Sequence, residues 1–319
     1  MTDKLILDAD SIAYKAAAAN EKRSIVVTHK ENGKVMEFDN RTAFKDFLKE
    51  NEKVNGEDYE LTDVQDPRHI SYGKSLVRNM IQGYTVHTGV KEVEIYIGGA
   101  NNFRDAIPLP KKYKGKREDS LRPMQLKDIR YFMIQELGAI VVDGMEVDDM
   151  GSIRAYEGYK AGTRIIQVTE DKDAAQCMGW LYNPAKHTKP IYIDGLGELH
   201  MEGKKLKGTG RLWLYAQSTM GDPVDCYRPA DLCEGAKFGD VACRKLFEDC
   251  KTDRDCWVVM NRQYSFWYPN DVTYTAWNGD VHKKDYIDIM QMYVDCAFMR
   301  RWQGDRINCR EVLTKLGII

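Results

Sequence analysis

LILDADS, residues 5–11, is an apolar run that ends in an aspartate and passes at once into the helical pattern SIAYKAAAAN. It predicts a buried strand followed by a helix, with Asp8 at the junction and Asp10 or Ser11 as the helix cap. The arrangement recurs along the chain. GMEVDD, residues 144–149, sets Glu146, Asp148 and Asp149 between the strand-like AIVV and a helical stretch over 147–161. TRIIQVTEDKD, residues 163–173, carries Asp171 and Asp173 just beyond another apolar run, and these two point the same way if the backbone is still extended. MGDPVD, residues 220–225, adds Asp222 and Asp225. Strand and helix alternate over residues 1–180, which predicts a mostly parallel α/β sheet. Ligands of such sheets bind beyond the carboxyl ends of the strands. The four acidic clusters are therefore expected to converge at one sheet edge.

Carboxylates about 4 Å apart repel by roughly 1–4 kcal/mol per pair, depending on the effective dielectric. Any one cluster can be read as helix capping, since acids favour helix N-termini. Four clusters at strand-to-helix junctions call for a neutralising cation instead. Hard oxygen ligands select Mg²⁺ or Mn²⁺, and the pattern predicts a phosphoryl-transfer site of the two-metal kind.

The chain of 319 residues is long enough for one large or two modest domains. Its 43% hydrophobic and 30% charged residues describe an ordinary soluble globular protein. A net charge of −2 offers no global signature for nucleic acid, so a local one must carry that argument. No apolar stretch approaches the roughly 20 residues of a membrane span, and MTDKLILDAD passes into a strand pattern with no signal-peptide character. The eight cysteines lack any Cys-x-x-Cys spacing and read as reduced thiols of a cytosolic protein.

The local basic signature is PLPKKYKGKREDSLRP, residues 108–123, which crowds Lys111, Lys112, Lys114, Lys116 and Arg117 around Tyr113. Cations beside an aromatic ring suit a phosphate backbone and an adjacent base. Alone, such a run is usually a solvated loop. Residues 222–247 read as turn, short helix, Gly-bearing turn and helix. There Gly235 and Gly239 permit a tight turn beside Lys237, Arg244 and Lys245. A hairpin of that kind can grip phosphates without reading bases, or simply pack. Residues 23–39 alternate around Asn32-Gly33, a hairpin signal. Residues 41–66 are polar with one helix, so 23–66 reads as an insertion. IYIDGLGELHM suggests a small hairpin, and the chain beyond 208 is mainly helical.

Taken in order, LILDADS, YKGKR, GMEVDDM, VTEDKDAAQ, MGDPVD and the Gly-bearing hairpin resemble the phage and bacterial 5′-nucleases of the flap endonuclease superfamily. That superfamily includes the phage 5′→3′ exonucleases and the 5′-nuclease domain of bacterial DNA polymerase I. The resemblance implies a PIN-like α/β nuclease domain over 1–200, with a helical arch at 100–123. It also implies a mainly helical DNA-binding region over 201–319, with a helix-three-turn-helix at 228–247. The implied activity is structure-directed 5′→3′ exonuclease and flap endonuclease cleavage of DNA. Asp8, Glu146, Asp148, Asp149, Asp171, Asp173, Asp222 and Asp225 would hold two Mg²⁺ or Mn²⁺ ions. Lys114 and Arg117 would join Asp8 in catalysis by approaching the scissile phosphate. Tyr113 would stack on a base, and Lys15, Lys116, Lys237, Arg244 and Lys245 would face the DNA. The implied partners are DNA with a free 5′ end and a replication polymerase, with no membrane. The implied compartment is the cytoplasm, that of the host for a phage protein.

Two departures stand out. IYIGGANNFR has Gly98-Gly99 where these nucleases end a strand in a metal-binding aspartate, and Asp10, two residues from Asp8, is the candidate replacement. GAKFGD replaces the usual Gly-x-Gly of the hairpin turn. The rival readings are a related structure-specific RNase, and a catalytically impaired DNA-binding protein in which Gly99 has removed a metal ligand.

Overall fold

The computed structural model describes residues 2–51, 54–117 and 120–319; the parts of the expected insertion and arch at 52–53 and 118–119 lie outside the described residues. In chain order the first elements are β1 (Lys4–Asp8), α1 (Ala9–Ala19), β2 (Glu21–His29), β3 (Val35–Phe38), α2 (Arg41–Glu50), β4 (Tyr59–Pro67) and α3 (Ile70–Thr88). Next come β5 (Glu92–Asn102), α4 (Leu126–Leu137), β6 (Ile140–Gly144), α5 (Val147–Ala161), β7 (Ile165–Val168), β8 (Gly179–Tyr182) and β9 (Ile191–Ile193). The chain closes with β10 (Leu199–Glu202), β11 (Lys205–Gly208), α6 (Gly210–Met220), α7 (Asp240–Phe247), α8 (Asp253–Trp267), β12 (Val272–Thr275), β13 (Val281–Lys284), α9 (Tyr286–Ala297) and α10 (Cys309–Lys315).

These elements form two compact units. The first comprises Met1–Asp10, Gly83–Ser120 and Gly138–Ile319, and so runs through residue 200 without a break. Its sheet has the order β6-β5-β1-β7-β8-β9, parallel except for β9. β1 is buried through its centre, as an apolar run in a parallel sheet must be. α5 lies on the sheet through a cluster of Ile6, Tyr96, Val142, Val147, Ile153 and Ile165. Two glycines on its inner face permit that approach: a Cβ at Gly151 would lie 2.5 Å from Gln167, and one at Gly158 would lie 2.7 Å from Ile165. The helical part has its own large core, built around Trp213, Trp257, Tyr264, Met290 and Tyr293.

The second unit comprises Ser11–Gln82 and Leu121–Leu137. Its three-stranded sheet has the order β3-β2-β4 and buries Ile25 and Val27 against Phe44 of α2. The hairpin turns at Asn32-Gly33, where Gly33 adopts φ +68°. This positive φ is the reason glycine suits the position. β4, in the stretch read as polar insertion, pairs with β2 over nine residues.

Several expectations are corrected. α1 begins at Ala9, and its cap is Asp8, whose Oδ1 accepts the Asp10 N–H at 2.9 Å. IYI joins the main sheet as β9, and the small hairpin is β10–β11 instead. A further hairpin, β12–β13, lies within the helical part. Among the described residues of 100–123, the expected helical arch contains only two 3₁₀ turns, Phe103–Ala106 and Gly115–Arg117. Pro108 and Pro110 deny the backbone N–H groups a longer helix needs.

Candidate metal centre

Each acidic cluster does lie at an element boundary of the first unit. Asp8 ends β1, Glu146 precedes α5 with Asp148 in its first turn, and Asp171 and Asp173 follow β7. Asp171 and Asp173 do not point together from an extended strand. The Asp171 carboxylate accepts the Asp173 N–H at 2.8 Å, and Asp173 opens a 3₁₀ turn over Asp173–Gln176. Asp222 and Asp225 sit in a tight loop after α6, held by backbone bonds between Asp222 and Tyr227 of 2.9 and 3.1 Å. One carboxylate oxygen from each of Asp173, Asp222 and Asp225 lies within 4.8 Å of the other two, and all three residues are buried. Buried hard-oxygen donors at that spacing fit a divalent cation.

The electrostatics agree. Burial, then the charges of Asp171, Asp8 and Glu146, raises Asp148 well above the usual carboxylate range. Burial and Asp171 push Asp173 up to about 8, against the pull of Lys172. Burial also raises Asp225, although Lys114 opposes it. Glu146 goes the other way: burial alone would raise it, but Arg104 and Lys114 outweigh burial and hold it low. A carboxyl whose folded pKa is raised favours the folded state most when protonated. Asp173 therefore weakens the metal-free fold as pH climbs from its unfolded value of 3.8 to about 8. Protons and metal compete for that oxygen. The rise in Tm on adding Mn²⁺ is accordingly expected to grow between about pH 5.5 and 8, read by thermal melts with and without EDTA. A pH-independent shift would contradict it.

The basic loop docks onto these acids. Lys114 adopts φ +53°, a left-handed conformation that strains a residue with a side chain, and its N–H bonds the Asp225 carbonyl at 2.9 Å. Its Nζ donates to Glu146 and lies 3.8 Å from Asp225 Oδ2, and Arg117 reaches Asp225 Oδ1 at 3.1 Å. Lys172 holds Asp222 Oδ2 at 2.6 Å. Gln217 of α6 donates to Asp173.

Tyr113, expected to stack on a base, is buried instead, with its ring 6.4 Å from that of Tyr227 and only 4% exposed. Its hydroxyl lies 3.1 Å from Asp225 and 3.3 Å from Glu146. The hydroxyl thus ties together carboxylates from two distant segments. Orienting bonds of this kind typically change metal affinity by about 10–100-fold. Tyr113→Phe is expected to weaken Mn²⁺ binding by about that factor, with little change in Tm in EDTA. Titration calorimetry and melts check it, and unchanged Mn²⁺ affinity would leave the hydroxyl no such role.

Asp149 is bound up elsewhere. Arg104 grips it with bonds of 2.5 and 3.1 Å, and the Glu146 and Arg300 N–H groups bond it at 3.2 Å each. Both side chains are fully buried. Arg104 also donates to the Cys296 and Phe298 carbonyls. Sequence gave no signal for this arginine, nor for Gln217.

The glycine pair resolves by strand parity. Gly98 shares the α5 face with Tyr96, whereas Gly99 faces away, where a Cβ would meet Asp143. Gly98 rather than Gly99 therefore faces the Asp8 side. The Gly98 N–H donates to Asp10 Oδ2 at 3.0 Å, and a Cβ there would lie 2.6 Å from that oxygen. The Asp10 carboxylate thus fills the place where a side chain at 98 would begin. Gly98→Ala is expected to destabilise by about 1–3 kcal/mol through this overlap, read by urea unfolding; an unchanged midpoint would mean that Asp10 moves freely.

Of the remaining expected contacts, Lys116, Lys237, Arg244 and Lys245 are exposed. Lys237 precedes α7, and Arg244 and Lys245 lie in its last turn. Lys15 is exposed on α1 in the second unit. All eight cysteines are free thiols. Among the described residues, no helix is long and apolar enough to cross a membrane.

The central, mostly parallel sheet flanked by helices matches the 5′-nuclease fold. Solved structures of bacteriophage T5 D15 are among those that match. The D15 protein crystallised with metal ions gives a TM-score of 0.51 at 11% identity, covering 98% of this chain and 96% of that one. A substituted D15 flap endonuclease, in a pseudo-enzyme-product complex with DNA and metal ions, gives 0.52 at the same identity and coverage. No family model matches the chain. No curated protein matches it either.

Proposed function

We propose that the protein is a metal-dependent nuclease that cleaves DNA bearing a free 5′ end, as a 5′→3′ exonuclease and flap endonuclease. The observation that carries this reading is the charge balance of the acidic centre. Asp8, Glu146, Asp148, Asp171, Asp173, Asp222 and Asp225 interact with one another; among the described residues Lys114, Arg117 and Lys172 reach them, as does Arg104, whose charge is offset by Asp149. Seven carboxylates less three cations leave four negative charges, which two divalent ions would balance. Mg²⁺ or Mn²⁺ would be held by these seven residues, with Asp10 as an eighth candidate. Asp149, saturated by Arg104, has a structural role.

When bound, such ions activate water and stabilise a leaving oxygen. The chain's own residues do the rest. Lys114 and Arg117, already at the centre, exchange a carboxylate for the substrate phosphate and neutralise its developing charge. Tyr113 keeps Glu146 and Asp225 in register. Lys116, Lys237, Arg244 and Lys245 contact the DNA backbone, with residues 201–319 supplying the duplex surface and 1–200 the catalytic sheet. Lys15 is a further backbone contact. The free thiols suit a cytoplasmic enzyme, that of a phage host included, acting in replication with a polymerase as partner.

The test is cleavage of a 5′-labelled flap and a nicked duplex in Mg²⁺, Mn²⁺ or EDTA, alongside Asp171→Asn. Metal-dependent 5′ products lost in the variant support the reading, and their lengths separate exonuclease from endonuclease action. Preferred cleavage of RNA would instead favour the RNase reading. DNA binding without cleavage would favour a catalytically impaired protein.

A further inference from the structure

Tyr156 and Tyr159, neighbours on one face of α5, stack at 5.7 Å. The row of rings continues on both sides. Tyr159 lies 6.3 Å from Tyr192 of β9, Tyr192 lies 5.1 Å from its cross-strand partner Trp180, and Tyr156 lies 6.1 Å from Trp302. Strand parity explains the arrangement. Leu181 and Ile193 enter a small core with Ala174, so Trp180 and Tyr192 emerge on the other face, beside α5. Tyr192 is 50% and Trp302 48% exposed. The row lies about 15 Å or more along α5 from Glu146, apart from the acidic centre. A contiguous run of exposed rings is the kind of patch that marks an interaction site.

The charges around the row select its partner. Arg164 lies over Trp180, 5.3 Å from the ring centroid. Its buried Nε has no acceptor, and its guanidinium has no carboxylate within ion-pair distance among the described residues. The neighbouring acids are engaged elsewhere: Glu157 with Arg154, Asp194 with the Tyr159 hydroxyl at 2.9 Å, and Asp305 with Arg301 at 2.8 Å. The unmet charge of this face is therefore positive and calls for a carboxylate. A nucleic-acid strand needs a row of cations for its phosphates, whereas Glu157 and Asp194 stand beside this one. A second copy of the chain, meeting the face with itself, would bring a second uncompensated Arg164 instead of a carboxylate. Tryptophan, tyrosine and arginine are the side chains that dominate protein interfaces. β9 ends its sheet and pairs only with β8 among the described residues, so its outer edge is open to an extended segment.

We infer that this face docks an extended acidic segment of another protein along β9, with an aromatic side chain on Tyr192 and Trp180 and a carboxylate on Arg164. The probe is a short fluorescein-labelled peptide in which serine alternates with, in turn, glutamate and phenylalanine, so that one face of the extended chain carries both. Fluorescence anisotropy with the full chain in EDTA should give a Kd on the order of micromolar. Arg164→Gln and Tyr192→Ser should each weaken binding about tenfold or more, with the fold intact by circular dichroism. The same peptide with lysine for glutamate should bind at least about tenfold more weakly, and single-stranded oligothymidylate should not compete. No binding of the acidic peptide, equal binding of the lysine peptide, wild-type affinity in both variants, or displacement by oligothymidylate overturns the inference. So does a dimer in sedimentation that Tyr192→Ser abolishes, which would make a second copy the occupant. None of these outcomes bears on the nuclease reading, which cleavage tests by itself.

Discussion

Lys114→Ala is expected to lower turnover by about two to three orders of magnitude, the usual consequence of removing one preorganised charge from a phosphoryl-transfer site. The residue is built for that position. Its backbone is in the left-handed region, its N–H is bonded to Asp225, and its ammonium rests between Glu146 and Asp225. Burial would lower its pKa, but Glu146 and Asp225 outweigh burial and raise it, so it stays charged. Its loss also removes a counter-charge from two buried acids. In EDTA the variant should lose about 1–3 kcal/mol of stability. Arg104, 3.5 Å from Glu146, and Arg117 on Asp225 limit that loss. Divalent metal should restore stability without restoring turnover. Single-turnover cleavage and melts with and without metal check this, and a rate within about threefold of wild type would remove Lys114 from the mechanism.

The largest effect on folding is expected at the buried pair of Arg104 and Asp149. Each partner is fully buried, and removing either leaves an uncompensated charge in the interior. Arg104→Met and Asp149→Leu should each cost about 3–5 kcal/mol in urea unfolding. The double variant should be much less destabilised than the sum, because no lone charge remains. It should not return to wild type, since the Cys296 and Phe298 carbonyls lose their donor. Additive losses would mean that the pair acts only through packing.

The acidic centre was legible because all its members but Asp222 and Asp225, which follow α6, stand at strand-to-helix junctions, and a parallel sheet gathers such junctions at one edge. β1, β5, β7 and α5 follow directly from their apolar runs. What escaped was set by tertiary pairing. YELTDVQDP alternates only over Tyr59 and Leu61, which pack on the small core, and becomes a nine-residue strand because β2 offers nine partners. VTYT and VHKK flank Asn278-Gly279, the same signal as Asn32-Gly33, but each strand has four residues and helices surround them. Tyr113 reads as an exposed aromatic among lysines. It is buried because Tyr227, 114 positions later, supplies the surface it stacks on. Among the described residues of the expected arch only two 3₁₀ turns form, where Pro108 and Pro110 limit helix, whereas the choice of Gly98 over Gly99 needed the strand register.

On the proposed reading this centre is a cation site with four negative charges left to neutralise. Calorimetric titration of the DNA-free protein with Mn²⁺ at about pH 8, beside Asp173→Asn, tests it most directly. About two ions per chain are expected, with the variant losing one of them. A wild-type protein that takes up no Mn²⁺ would contradict it.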